Sequence, residues 1–223
     1  MATFRELINQ VLIRLREDTI STDWTGALND SATITDYQKV IGALVNDTKR
    51  NVEAYHDWLS LRETVDITTV SGTRNYNLSS GQEIKILDVI NQTQGTHLNQ
   101  VRLQYMNSLR YPSENSGDPV YYAFNGADSS NNLKVDLEPK PESAQTISFE
   151  IVKYQDTLTL ATTVMKVPTQ PVILGAWMRA IAERGEDGGT QTSIVGAEFS
   201  ESINQAIMLD SGNTQFESDW FLL

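Results

Sequence analysis

The apolar residues of this chain change their repeat twice, and those changes dictate the order of its elements. At the start, Thr3 is followed three residues later by Glu6, the pattern of a capping box, and then by Phe4, Leu7, Ile8, Val11, Leu12 and Leu15 on one helical face. A second such pair, Thr35 with Gln38, opens a longer helical pattern through Tyr37, Val40, Ile41, Leu44, Val45, Val52, Tyr55 and Leu59, predicting a helix to about Trp58. Between them, residues 19–33 are rich in turn formers around Trp24 and Leu28, which predicts a loop pinned at Trp24.

From Glu63 the repeat becomes alternating. Val65 and Ile67, then Tyr76 and Leu78, bracket Ser71-Gly72-Thr73 and predict a hairpin. A second hairpin is expected from Ile84–Asn91 and Leu98–Leu103 around Gln94-Gly95, followed by a short segment 104–110. Further strands are expected at 120–124, 133–137 and 147–154. After Pro168 the helical period returns, at Val172, Ile173, Ala176, Trp177, Ala180 and Ile181, with Thr169 as the expected cap. Gly185-Glu-Asp-Gly-Gly189 ends that helix, and Thr190 opens another along Ile194, Val195, Phe199, Ile203, Ala206 and Ile207.

Neither helix pair buries its stripe alone, so the expected class is α+β: a helical bundle of the N- and C-terminal helix pairs with an inserted antiparallel β unit. In residue terms this is a discontinuous bundle of 1–62 and 169–210, a β insertion at 63–167, and a C-terminal docking tail at 211–223.

The 223 residues suffice for a sizeable core without staples. The chain has no cysteine, which excludes disulfides, thiolate catalysis and Cys-rich metal sites. No window approaches the roughly 18 consecutive apolar residues of a membrane span, and Glu6 breaks any secretory pattern, so a soluble protein without targeting is expected. The net charge of −12 argues against a surface that grips nucleic-acid phosphates. About half of that excess falls in residues 169–223, where eight acidic side chains face only Arg179 and Arg184.

Candidate catalytic groups are few. His56 stands beside Asp57, but neighbours on a helix point in different directions and no nucleophile motif accompanies them, so it reads as an ordinary helix-end histidine. His97 reads as a surface strand residue. The glycine-rich 185–189 lacks the lysine of a phosphate loop, and Asp128-Ser-Ser-Asn-Asn132 lacks the glycine and distal glutamate of a calcium loop, so both read as turns. The sequon Asn46-Asp-Thr48 carries no weight without a secretion signal. No catalytic, cofactor-binding or metal site is expected, and no enzyme. What remains is the tail, where Phe216, Trp220, Phe221, Leu222 and Leu223 close an otherwise polar segment. They either fold back onto the chain's own core or dock on a partner such as a neighbouring subunit; in the second case they are the candidate anchors, Trp220 and Phe221 foremost, and their acidic surroundings call for basic residues in the groove that receives them.

Taken in order, Pro119-Val-Tyr-Tyr-Ala-Phe-Asn-Gly126, Leu133-Lys-Val-Asp-Leu-Glu-Pro139-Lys-Pro141, Ile147-Ser-Phe-Glu-Ile-Val-Lys-Tyr154 with Leu158, and Val167-Pro168 leading into Val172-Ile173-Leu174-Gly175-Ala176 resemble the head-to-tail adaptor (connector) proteins of short-tailed phages. The helical opening and Tyr55-His-Asp-Trp58 fit the same pattern. The resemblance spans nearly the whole chain and rests on the order of short pieces. It departs in the long polar β region from Glu63 to Tyr111, whose contacts it does not fix.

The resemblance implies a structural virion protein of the neck, assembled in the host cytoplasm as a self-associated ring, a dodecamer by analogy. Its partners would be the portal protein, embraced by the segment around Phe216 to Leu223, and a downstream tail or nozzle protein. Double-stranded DNA would pass through transiently without specific binding, and no membrane would be involved. Two alternatives stay open: a tail tube or tail-completion subunit, and a receptor- or glycan-binding virion module, for which Tyr121, Tyr122 and Phe124 would form an exposed aromatic cluster.

Overall fold

In a computed structural model, residues 2–79, 81, 83–111, 115–185 and 190–212 are described. The chain divides into two compact units: Met1–Leu61 with Gln155–Leu223, and Arg62–Tyr154.

The first unit holds helices α1 (Phe4–Arg14), α2 (Asp36–Tyr55), α4 (Thr169–Arg184) and α5 (Thr190–Gly212). Both expected capping boxes form, so the exposed N–H groups at each helix start find side-chain acceptors and return the bond through Glu6 and Gln38. Helix α4 is central. Its apolar residues are buried nearly all round, including Val172, Ile173, Leu174, Ala176, Ala180 and Ile181, because it packs against α1, α2 and α5. Its N-cap is Pro168, which offers no side-chain acceptor, and Thr169 is the first helical residue.

Helix α2 stops at Tyr55, short of the expected Trp58, with His56 in extended conformation at φ −153°. The buried Trp58 turns back instead, and its indole N–H donates to the carbonyl of Val52 at 2.8 Å, one of the acceptors a helix end leaves open. Trp24 is buried, packs edge-on against Phe4 with ring centres 5.7 Å apart, and donates from Nε1 to Thr159 O, so the loop is pinned where expected.

Residues 155–167, expected in the β insertion, belong instead to this first unit, which residues 155–168 cross mostly without regular structure. Leu158, Ala161, Met165 and Val167 are buried, and side chains of α2 hold the backbone. Asn46 grips Leu158 from both sides: Nδ2 donates to Leu158 O at 3.0 Å and Oδ1 accepts from Leu158 N at 2.9 Å. One turn on, Lys49 and Glu53 form a buried ion pair at 3.1 Å. Lys49 Nζ also donates to the carbonyls of Gln155 and Asp156, and Glu53 Oε1 accepts from Gln155 N. Burial pushes the lysine below and the glutamate above their ordinary pKa values, each more strongly than the partner's charge pulls it back. The N-terminus adds backbone bonds from Phe4 N to Thr163 O and from Met165 N to Ala2 O.

The second unit contains two four-stranded sheets. One has the order β1 (Arg62–Thr68), β8 (Thr146–Lys153), β3 (Ile84–Asn91), β4 (Thr96–His97). The other has the order β2 (Asn75–Leu78), β7 (Leu133–Glu138), β6 (Tyr121–Ala127), β5 (Asn99–Gln100). Residues of both sheets form one core, with Ile67, Val89, Ile147, Phe149 and Ile151 from the first and Leu78, Tyr122, Val135 and Leu137 from the second.

The chain is therefore α+β, but not a helical bundle carrying a small inserted antiparallel β unit. Among the described residues there are five α-helices and two four-stranded sheets. One helix, α3 (Leu103–Arg110), lies within the β region where a strand and a short segment were expected. It is the crossover that lets β5 and β6 pair in parallel, a geometry no hairpin can reach. The expected first hairpin does not form, because β1 pairs with β8 and β2 with β7. Alternation specifies which residues face a core, not which strand lies alongside. The expected second hairpin is present as the short β3–β4 pair, and β6–β7 is a true hairpin whose tip is Asp128–Asn132. Asp128 Oδ1 accepts from the backbone of Ser130 and Asn132, each at 2.8 Å, which accounts for that polar run as a turn.

The hold of α2 on residues 155–156 yields a test. Lys49→Met alone strands a buried carboxylate and is expected to cost about 3–5 kcal/mol in urea unfolding. Adding Glu53→Leu removes that charge but leaves the Gln155 and Asp156 backbone groups unpaired, so about 1–3 kcal/mol should remain lost. Full recovery in the double variant would mean that the pair does not serve to fix the returning chain.

Candidate assembly surface

Helix α5 is the longest element, 23 residues, and it packs chiefly on α4. Only Val195 and Ile203 are buried along it, while Ile194 is 58 % exposed and Met208 and Leu209 are each 74 % exposed. An apolar pair left open on the last turns of a helix is available to a partner. Two features fix its direction. Gly175 of α4 lets α5 and α2 approach: a Cβ there would stand 2.5 Å from Thr48 Cγ2 and 2.8 Å from the Phe199 ring. At the far end, Asp210 Oδ2 accepts from Leu59 N at 3.1 Å and meets His56 Nε2 at 3.2 Å.

The proposed partner-binding residues Phe216, Trp220, Phe221, Leu222 and Leu223 lie outside the described residues, as does Glu186–Gly189. The helix that leads toward the tail runs to Gly212, past the expected start of the tail at residue 211.

The histidines are accounted for. His56 follows α2, as read, but its carboxylate neighbour is Asp210 rather than Asp57, and its ring stands edge-on to Trp58 at 5.1 Å. His97 is on the exposed strand β4, with Nδ1 2.9 Å from Asp88 Oδ2. The three aromatics divide: Tyr122 is only 5 % exposed and packs edge-on between Phe124 and Phe149 in the core, whereas the half-buried Tyr121 stands edge-on to the exposed Tyr105 with ring centres 6.3 Å apart. Among the described residues no group of His, Cys, Asp and Glu is arranged to hold a metal, and no helix is long and apolar enough to cross a membrane.

Two charged features escaped the sequence reading. In the second unit, Asp136 and Glu138 of β7 are buried although they occupy the polar positions of an alternating strand. Arg110 of α3 meets Asp136 at 2.8 Å and Arg74 meets Glu138 at 3.4 Å, which ties α3 to the sheet. In the first unit, a cleft of about 350 Å³ is lined by Arg14, Arg16, Trp177, Ile181, Arg184 and Gln191. The Arg14 guanidinium lies 5.7 Å from the Trp177 ring centre, half-buried, and burial lowers its pKa. Arg184 stacks on Tyr37 at 4.8 Å, donates to its hydroxyl, and pairs with Glu17, the bond to Glu17 being the main cause of its raised pKa. No spacing in the sequence marks this group, since Arg14 and Arg16 look like ordinary cations at a helix end.

Gly175→Ala is expected to force α4 and α5 apart and cost about 1–3 kcal/mol in urea unfolding. An unchanged midpoint would show that the close approach at Gly175 is not tight.

Among curated proteins none matches the chain. A family model described as SU10 adaptor protein matches residues 2–218, nearly the whole chain. The chain belongs to the SU10 adaptor protein family and is a phage adaptor, a structural component of the virion.

Proposed function

We propose that this adaptor assembles as a ring, a dodecamer by analogy with other adaptors, below the portal, where it joins capsid to tail and lines the DNA channel. The observation that carries this is the family match across residues 2–218. An adaptor bridges the portal on one side and a tail or nozzle protein on the other. Its two compact units, Met1–Leu61 with Gln155–Leu223 and Arg62–Tyr154, form the adaptor's body, and 211–223 serves as its docking tail. Phe216, Trp220, Phe221, Leu222 and Leu223 act as anchors on the portal or on a neighbouring subunit. Met208 and Leu209, exposed on the last turns of α5, extend that apolar surface into the folded part.

The role in DNA passage is mechanical and electrostatic rather than enzymatic. A net charge of −12, directed inward, repels the phosphate backbone and lets DNA slide without sticking. At physiological salt the repulsion reaches only about 8 Å, so it acts as a non-adhesive wall and not as a barrier to entry.

Mass measurement of the purified full chain with and without its portal tests this. A shift to a ring-sized complex on portal addition is expected, and deletion of 216–223 should abolish that shift while leaving the thermal midpoint of the free chain unchanged. A protein that stays monomeric in both conditions would overturn the adaptor ring, and a truncated chain that still binds the portal would assign the aromatic tail to its own fold.

A further inference from the structure

We infer that Asn125-Gly126, on strand β6, is a site of spontaneous deamidation, and that the carboxylate it produces loosens the hold of the sheet on α3. The inference is independent of the ring.

Deamidation of an asparagine within a chain starts when the backbone nitrogen of the next residue attacks the side-chain carbonyl carbon. The usual obstacle is the next side chain, which crowds the attacking nitrogen and stiffens the backbone, and glycine has none. Of the chain's asparagines only Asn125 is followed by glycine. The structure leaves this pair open. Both residues are exposed although they belong to a strand. The pairing of β6 with β7 slips between Phe124 and Ala127, so neither residue stands in register opposite a partner. Gly126 has φ 78°, and a Cβ built there would meet nothing within 4 Å. Strand pairing, burial and neighbouring bulk, the three features that protect an asparagine from its own backbone, are thus all relaxed at this one dipeptide.

In the reaction Gly126 N gives up its proton, bonds to Asn125 Cγ and expels the side-chain nitrogen as ammonia, leaving a cyclic imide. Water then opens the imide. Cleavage between Gly126 N and Cγ gives aspartate; cleavage between Gly126 N and the main-chain carbonyl carbon of Asn125 gives isoaspartate, in which the backbone runs through Cβ and Cγ. Either product carries an added negative charge.

The surroundings of Asn125 give that charge an effect. Its Nδ2 donates to Asp136 Oδ2 at 3.4 Å, and Asp136 is buried. Arg110 of α3 donates to the same oxygen at 2.8 Å, and Asn75 donates to the other. Conversion at Asn125 removes a donor from this buried carboxylate and sets a second carboxylate against it, so Arg110 has a further acid to neutralise. Helix α3 buries only Met106, which leaves its attachment strongly dependent on Arg110. Opening of α3 therefore becomes more frequent once Asn125 is an acid.

Peptide mapping by mass spectrometry on the full chain, incubated at mildly alkaline pH, tests the site, and hydrogen exchange across residues 103–110 tests its consequence. Aspartate and isoaspartate should accumulate at Asn125 ahead of every other asparagine, with a native-gel shift of a single negative charge and faster exchange of α3. Asn125→Asp should show the faster exchange from the outset and a lower urea midpoint. Asn125→Gln, whose longer side chain closes a cyclic imide far more slowly, should abolish the charge shift while keeping the amide. A urea-unfolded sample supplies the rate of the same dipeptide without structure. Conversion in the unfolded chain with Asn125 intact in the folded one would show that the strand protects the site, and would overturn the proposal. Conversion that leaves exchange of α3 unchanged, in the aged chain and in Asn125→Asp alike, would overturn the link to Arg110.

Discussion

The helical unit is discontinuous in sequence, so everything in it depends on where the chain re-enters. That point is held by three side chains on successive turns of α2. Asn46 satisfies both backbone groups of Leu158, and the buried Lys49–Glu53 pair satisfies the N–H of Gln155 and the carbonyls of Gln155 and Asp156. An irregular segment crossing a core would otherwise strand polar backbone groups. Burying an ion pair contributes little net stability in general, and here burial strains both members away from their ordinary pKa values. What the pair supplies is position. Once residues 155–168 are located, Pro168 starts α4 in the middle of the unit, and α4 in turn sets the place of α5.

That chain of dependence ends at the surface most suited to assembly. Gly175 brings α5 close to α4, Asp210 fastens its far end beside Leu59, and Met208 and Leu209 are left exposed on its last turns. The arginine cleft lies near the opposite end of the same helix.

The sequence shows most clearly where local chemistry decides the outcome. Thr3 with Glu6, Thr35 with Gln38, the glycine after Arg184 and the pinned Trp24 are all visible because the interacting groups are neighbours in the chain or mark their own turn. Strand partners are less legible. Val65 and Ile67 alternate as a strand should, yet nothing local states that they pair with β8, some 80 residues away, rather than with β2. The helix α3 is not legible because Leu103–Arg110 is short and exposes half of its residues, so its buried stripe is little more than Met106. Asp136 and Glu138 looked like the solvent face of a strand, and only their arginine partners, distant in sequence, make burial tolerable. The arginine cleft was hidden for the same reason: its members come from the ends of three helices.

The central claim is that this chain forms a ring between portal and tail. An electron cryomicroscopy map of the assembled neck tests it most directly. The expected result is a closed ring of this α+β fold seated beneath the portal, with acidic side chains toward the channel. Finding the fold instead on a peripheral fibre, or in a ring whose channel is lined by basic residues with the acids turned outward, would contradict it.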